Sequence, residues 1–99
     1  MTIYALSSGT GISGIAIIRV SGKDTSNVVK LLTNAELPRP RVATLRKLNK
    51  INTSELIDEG LLLWFPAPES YTGEDMAEFH VHGSKSVVDA LHSTLSKIE

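Results

Sequence analysis

The chain has 99 residues, of which 41% are hydrophobic and 21% charged, with a formal net charge of -1 and no cysteine. That length holds one small domain with a modest core, and the composition excludes a disordered chain. The near-neutral charge argues against a general phosphate-backbone binder, and the lack of cysteine excludes disulfides and thiolate metal sites.

The opening residues, MTIYALSSG, have neither the charged start and long apolar core of a signal peptide nor the Arg-rich pattern of a transit peptide. No apolar run approaches the length of a membrane span. Residues 3–6, IYAL, read as a short strand. SSGTGISG follows, and its Gly9, Gly11 and Gly14 match G-x-G-x-x-G. A dinucleotide fingerprint must open a helix, whose N-terminal amides hold the pyrophosphate. Here the glycines lead into Ile15 to Val20, IAIIRV, which reads as a buried strand, so a turn is the better reading. No Lys-Ser/Thr pair follows, and the chain has no P-loop.

Strand alternation puts Ile15, Ile17 and Arg19 on one face and Ala16, Ile18 and Val20 on the other. An unpaired buried guanidinium is costly, so Arg19 either reaches water at the strand end or binds an anion or carbonyl in a pocket. SGKDTSNVVKLLT then reads as a short helix, with Gly22 as breaker, Asp24 or Thr25 as cap and Val28, Val29, Leu31 and Leu32 on the apolar side. Pro38 and Pro40 make ELPRPR a connector.

Residues 42–50 and 56–65 read as two strands of a hairpin around the polar turn INTSE. The sequon at Asn52 carries little meaning without secretion. PAPES and TGED are loop. MAEFHV, residues 76–81, is the next strand, Gly83 breaks it, and Ser84 can cap a final helix with Val87, Val88, Leu91, Leu95 and Ile98 on one face. His92 falls on that helix's more polar side, as a solvated histidine. The order β-β-α-β-β-β-α predicts an α+β domain over residues 1–99, with two helices and a small mixed or antiparallel sheet. The last helix meets no stop signal, which reads as a chain that continues.

In MAEFHVH, Ala77, Phe79 and Val81 point one way, and Met76, Glu78, His80 and His82 the other. A half-buried strand with a polar outer face accounts for this. A zinc site on Glu78, His80 and His82 is the competing reading. Side chains two apart in a strand are about 6.6 Å apart, long for one coordination sphere, and no further histidine or cysteine offers itself.

Three stretches, ALSSGTGISGIAIIRVSG, IDEGLLLWFPAPESYTGED and MAEFHVHG, together resemble the N-terminal domain of the MnmE (TrmE) family of tRNA modification GTPases, from about Thr2 to Leu95. The resemblance implies an α+β fold similar to the folate-binding domain of the glycine-cleavage T protein. It implies a homodimer formed through this domain and a 5-formyl- or 5,10-methylene-tetrahydrofolate near its interface. Helical and GTPase domains would follow, carrying sites for GTP, Mg2+ and K+, so these residues alone should not hydrolyse GTP. With the flavin-dependent partner MnmG, the full protein would modify the wobble uridine of certain tRNAs at C5, in the bacterial cytoplasm. The family's folate-contacting arginine falls on Arg19, its folate-contacting acid falls on Glu78, and Tyr71 to Asp75 help shape the site. A pterin edge presents adjacent N–H donors that one carboxylate can accept together, and a guanidinium suits a ligand oxygen or can orient that carboxylate. The alternatives are a dimerisation module without ligand and the small metal-binding domain above.

Overall fold

The computed structural model describes residues 3–6, 14–51, 53, 55–70 and 72–97. Its elements are β1 (Ile3–Leu6), β2 (Ile15–Ser21), α1 (Thr25–Thr33), β3 (Thr44–Asn49), β4 (Leu56–Phe65), β5 (Met76–His82) and α2 (Lys85–Ser96). This is the order expected from the sequence. The five strands form one sheet in the order β1-β2-β5-β4-β3, and every pairing is antiparallel rather than mixed. The glycine turn at Gly9 and Gly11, the sequon's Asn52 and Ser54, Tyr71 and Ile98 lie outside the described residues.

The registers decide which side chains are buried. Ile18 stands opposite Phe79, and Phe79 opposite Leu62. All three are fully buried. With Ala16, Val20, Trp64, Ala77 and Val81 they form one sheet face, which packs with Val28, Val29 and Leu32 of α1 and Val88, Leu91 and Leu95 of α2. Both helices therefore cover the same face, and their apolar stripes close one core. Burying a side chain of this kind stabilises by about 1.5–3 kcal/mol before chain entropy is counted.

The helix ends follow local chemistry. The Ser84 side chain accepts from Val87 N at 3.3 Å and caps α2 as expected. At α1, Asp24 holds the N-cap position but makes no side-chain cap bond. Thr25, the other cap candidate, is the first helical residue; its Oγ1 donates to Gly22 O at 2.8 Å and Asp75 O at 3.1 Å, which anchors the helix start without capping an N–H. Asn34 ends α1 in the left-handed region, φ 52°, a conformation that asparagine tolerates. The β3–β4 turn is fastened to α2 by Ile51 N, which donates to the buried Thr94 Oγ1 at 2.9 Å.

Gly60 of β4 marks a close approach of two strands. A Cβ there would stand 2.3 Å from His80 O, a backbone atom of β5. Gly60→Ala is expected to lower stability by about 1–3 kcal/mol, read from the urea midpoint. Gly14→Ala, where a Cβ meets nothing within 4 Å, should stay within about 0.5 kcal/mol.

Candidate functional site

The face opposite the helices belongs to the alternate residues of each strand. Arg19 pairs with Glu78 across β2 and β5, and Glu78 with Leu63 across β5 and β4. The next row runs from Ile17 through His80 and Leu61 to Leu45. The same rule that buries Ile18 and Phe79 thus sets Arg19 beside Glu78.

The two side chains meet directly. Arg19 Nε donates to Glu78 Oε2 at 2.7 Å, with the Arg19 side chain 43% exposed and that of Glu78 12%. The expectation of water or a pocket for Arg19 resolves into an ion pair on a half-open sheet face. His80 Nε2 lies 3.1 Å from Glu78 Oε1. A carboxylate only accepts, so the proton of that bond sits on Nε2. Both oxygens of Glu78 are thereby engaged. Burial pushes the Glu78 carboxyl up, but the hydrogen bonds and charges of His80 and Arg19 outweigh it and hold the group below its ordinary value.

The third member of the histidine pattern goes elsewhere. His82 Nδ1 lies 3.0 Å from both oxygens of Asp58, and His82 N donates to Asp58 Oδ2 at 2.9 Å. Asp58 therefore latches the end of β5 to the start of β4. Burial raises its carboxyl, yet these bonds and the Glu59 backbone bond leave it below its ordinary value. Glu78, His80 and His82 are thus divided between two carboxylate networks. Among the described residues no group of three or more His, Cys, Asp or Glu is arranged to hold a metal ion.

The TGED loop is tied to the same end of the sheet. Asp75 O accepts from Gly22 N at 3.0 Å as well as from Thr25, and Asp75 Oδ1 accepts from Ala67 N at 2.8 Å. Ser21 and Thr72 share a hydroxyl–hydroxyl bond of 2.8 Å. Ser70 Oγ donates to Glu74 O. The loop's visible part in this structure is positional: it fastens the β4–β5 connection to the end of β2, two residues from Arg19. Gly22 has φ 137°, which a side chain would strain.

The sequence reading missed three features: the Asp58 latch, the hub at Asp75, and the bond from His80 to Glu78. An aspartate in a strand ending LLLWF could have flagged Asp58. Nothing in the spacing alone indicates which histidine leans toward Glu78.

The residues that could hold a folate are therefore together, an acceptor and a donor side by side. Leu63 and Ile17 flank them, offering apolar surface for a flat ring. This donor set fits a pterin edge.

Glu78 and Asp58 also make stability depend on acid. Both are held low in the folded chain, so their contribution is fully present above the unfolded carboxylate range, about pH 4–4.5. It is lost as pH falls through the lower folded values. The urea midpoint is expected to drop between about pH 5 and about pH 3, and Glu78→Gln or Asp58→Asn should each make that drop shallower.

The profile of the family described as "GTP-binding protein TrmE N-terminus" matches residues 2–99. The tRNA modification GTPase MnmE of Pelagibacter ubique (strain HTCC1062) is 80% identical over 99 residues, 100% of this chain and 22% of that protein. The tRNA modification GTPase MnmE of Zymomonas mobilis subsp. mobilis is 48% identical over 97 residues, 98% of this chain and 22% of that protein. The mitochondrial tRNA modification GTPase gtpbp3 of Dictyostelium discoideum is 43% identical over 104 residues, covering 99% of this chain and 20% of that protein. The chain spans about a fifth of the length of these relatives. Its sequence thus belongs to the TrmE N-terminal family.

Proposed function

We propose that this chain is the tetrahydrofolate-binding and homodimerisation domain of a tRNA modification GTPase. The observation that carries the reading is the Arg19–Glu78 pair, an ion pair of 2.7 Å set among apolar neighbours on the sheet face that the helices leave open. Glu78 would accept the paired donors of a pterin edge. Arg19 would orient Glu78 and meet a ligand oxygen. Bound there, a 5-formyl- or 5,10-methylene-tetrahydrofolate would supply the one-carbon unit, and the chain would bind and orient it.

The rest of the reading concerns the whole protein. GTP, Mg2+ and K+ would be bound outside these residues. With MnmG the protein would modify the wobble uridine of tRNA at C5, in the bacterial cytoplasm, with tRNA held mainly by other parts of the complex. No helix among the described residues is long and apolar enough to cross a membrane. The names of the relatives, tRNA modification GTPases, support the tRNA-modification and GTPase parts of this reading.

Association is supported by the open face itself. Ile15, Leu45 and Leu61 are 57%, 58% and 43% exposed, and Leu45 and Leu61 are cross-strand partners. The same observation favours a second reading, a dimerisation module without ligand, which calorimetry separates from the first.

Glu78→Ala and Arg19→Ala, each in the full-length protein, are expected to abolish the calorimetric heat of 5-formyltetrahydrofolate binding. Wild-type affinity in both variants would remove the site assignment. Absence of heat in the wild type, with a dimer in sedimentation, would favour the ligand-free module. Leu61→Glu is expected to shift sedimentation from dimer toward monomer.

A further inference from the structure

We propose that His80 is a proton-sensitive competitor for Glu78, occupying the carboxylate oxygen that an incoming ligand edge would take. The inference rests on the folate reading of the Arg19–Glu78 pair, and it adds a residue that the motif does not supply.

A pterin edge needs a lone pair on each oxygen of one carboxylate, and each oxygen of Glu78 already accepts one bond from the protein. Arg19 Nε holds Oε2 at 2.7 Å, and His80 Nε2 holds Oε1 at 3.1 Å. Arg19 is permanently charged and makes the shorter contact, so the imidazole is the partner that yields. Glu78 and His80 are two apart on one strand face, about 6.6 Å along the strand, so the imidazole leans to reach the carboxylate. Its cross-strand neighbours, Ile17 and Leu61, are apolar. Beside it lies an open depression of about 240 Å³, lined in part by Leu45, Glu59, Leu61 and His82, which gives a displaced ring room.

The strength of the competition follows the proton. A neutral imidazole donates one ordinary bond from Nε2. An imidazolium makes a charge-assisted bond, roughly twice as strong. Histidine ordinarily changes charge near pH 6.5, within the working range of a cell. Ligand binding that frees His80 from Glu78 therefore disfavours its proton, and affinity rises with pH. The other charged groups on this face are Arg19 of β2, Lys47 of β3, Glu59 of β4, and His82 held by Asp58. Among the described residues, His82 is the other histidine of this strand face, and it serves as the control. His80 is a positioning residue in this scheme, acting through Glu78.

The test is calorimetry of 5-formyltetrahydrofolate on the full-length protein from about pH 5.5 to about pH 8. Wild type should tighten about tenfold over that range. His80→Gln, which can donate to Glu78 but takes no proton, should be nearly flat and about tenfold tighter than wild type at the acid end. His80→Asn should behave alike, and unchanged thermal unfolding checks that both variants fold. A structural role would weaken binding at every pH without changing the slope. Without ligand, the Glu78 carboxyl followed by 13C NMR should titrate at higher pH in His80→Gln. The same slope in His80→Gln as in wild type, an unmoved Glu78 titration, or a slope lost in His82→Asn would each overturn the inference while leaving folate binding intact. No binding by wild type at any pH would overturn the folate reading and this inference with it.

Discussion

Every residue of β2 has an antiparallel partner in β5, and that register organises the rest of the molecule. A shift of β2 by one residue against β5 would exchange the two faces of β2 alone. Ile18 would leave the core while Phe79 stayed in it, and Arg19 would enter it, stranding a guanidinium beneath two helices and away from Glu78. The cost of that exchange, several buried apolar side chains together with a desolvated charge, makes the observed register strongly preferred. Fold and site are therefore consequences of one pairing. The helices that need an apolar surface and the ion pair that needs water are served by opposite faces of the same strands.

Within the site, the scarce resource is acceptor capacity. Glu78 has two oxygens, with Arg19 on one and His80 on the other. These donors hold the carboxyl ionised against the effect of burial. On the proposed reading, the same two bonds would ready Glu78 for a ligand and limit its access. A carboxylate with no donors at this depth would drift toward its neutral form and lose its value as a double acceptor. Asp58 illustrates the contrast. It also lies low, yet its oxygens are spent on the backbone and ring of His82, and it works as a latch between strands.

Much of this was legible in the sequence because its signals were local. Period-two alternation in IAIIRV and MAEFHVH assigned the faces. Gly22, Pro38, Pro40 and Gly83 punctuated the elements, and Ser84 capped the helix it precedes. What the sequence withheld depends on distance in space. Asp24 was a good cap by residue type yet makes no side-chain cap bond, and the Thr25 hydroxyl instead donates to Gly22 O and to Asp75 O, 50 residues away. Whether Arg19 reached water or a pocket could not be decided, since its partner is 59 residues away in the chain. The likeness of Glu78, His80 and His82 to a metal triad dissolves once Asp58, 24 residues before His82, is seen to claim one of them.

The strand LIDEGLLLWF poses the remaining physical question. An antiparallel strand with one face on a core and the other in water should alternate, yet its last five residues are all apolar. Leu62 and Trp64 account for the core face. Leu61, Leu63 and Phe65 are on the other, where the helices do not reach. Single exposed apolar residues are ordinary, but these continue sideways to Leu45 of β3, with Ile17 of β2 on the far side of His80 of β5. On the proposed reading this surface has two uses that reinforce each other. A flat ring laid over Leu63 and Ile17 would bury apolar area while its edge met Glu78. A second copy against Leu45 and Leu61 would lower the local dielectric and strengthen each hydrogen bond to that carboxylate, at a desolvation cost that Arg19 already offsets. Ligand and partner would thus be coupled through Glu78, because covering the face makes a paired carboxylate a better acceptor and an unpaired one a liability.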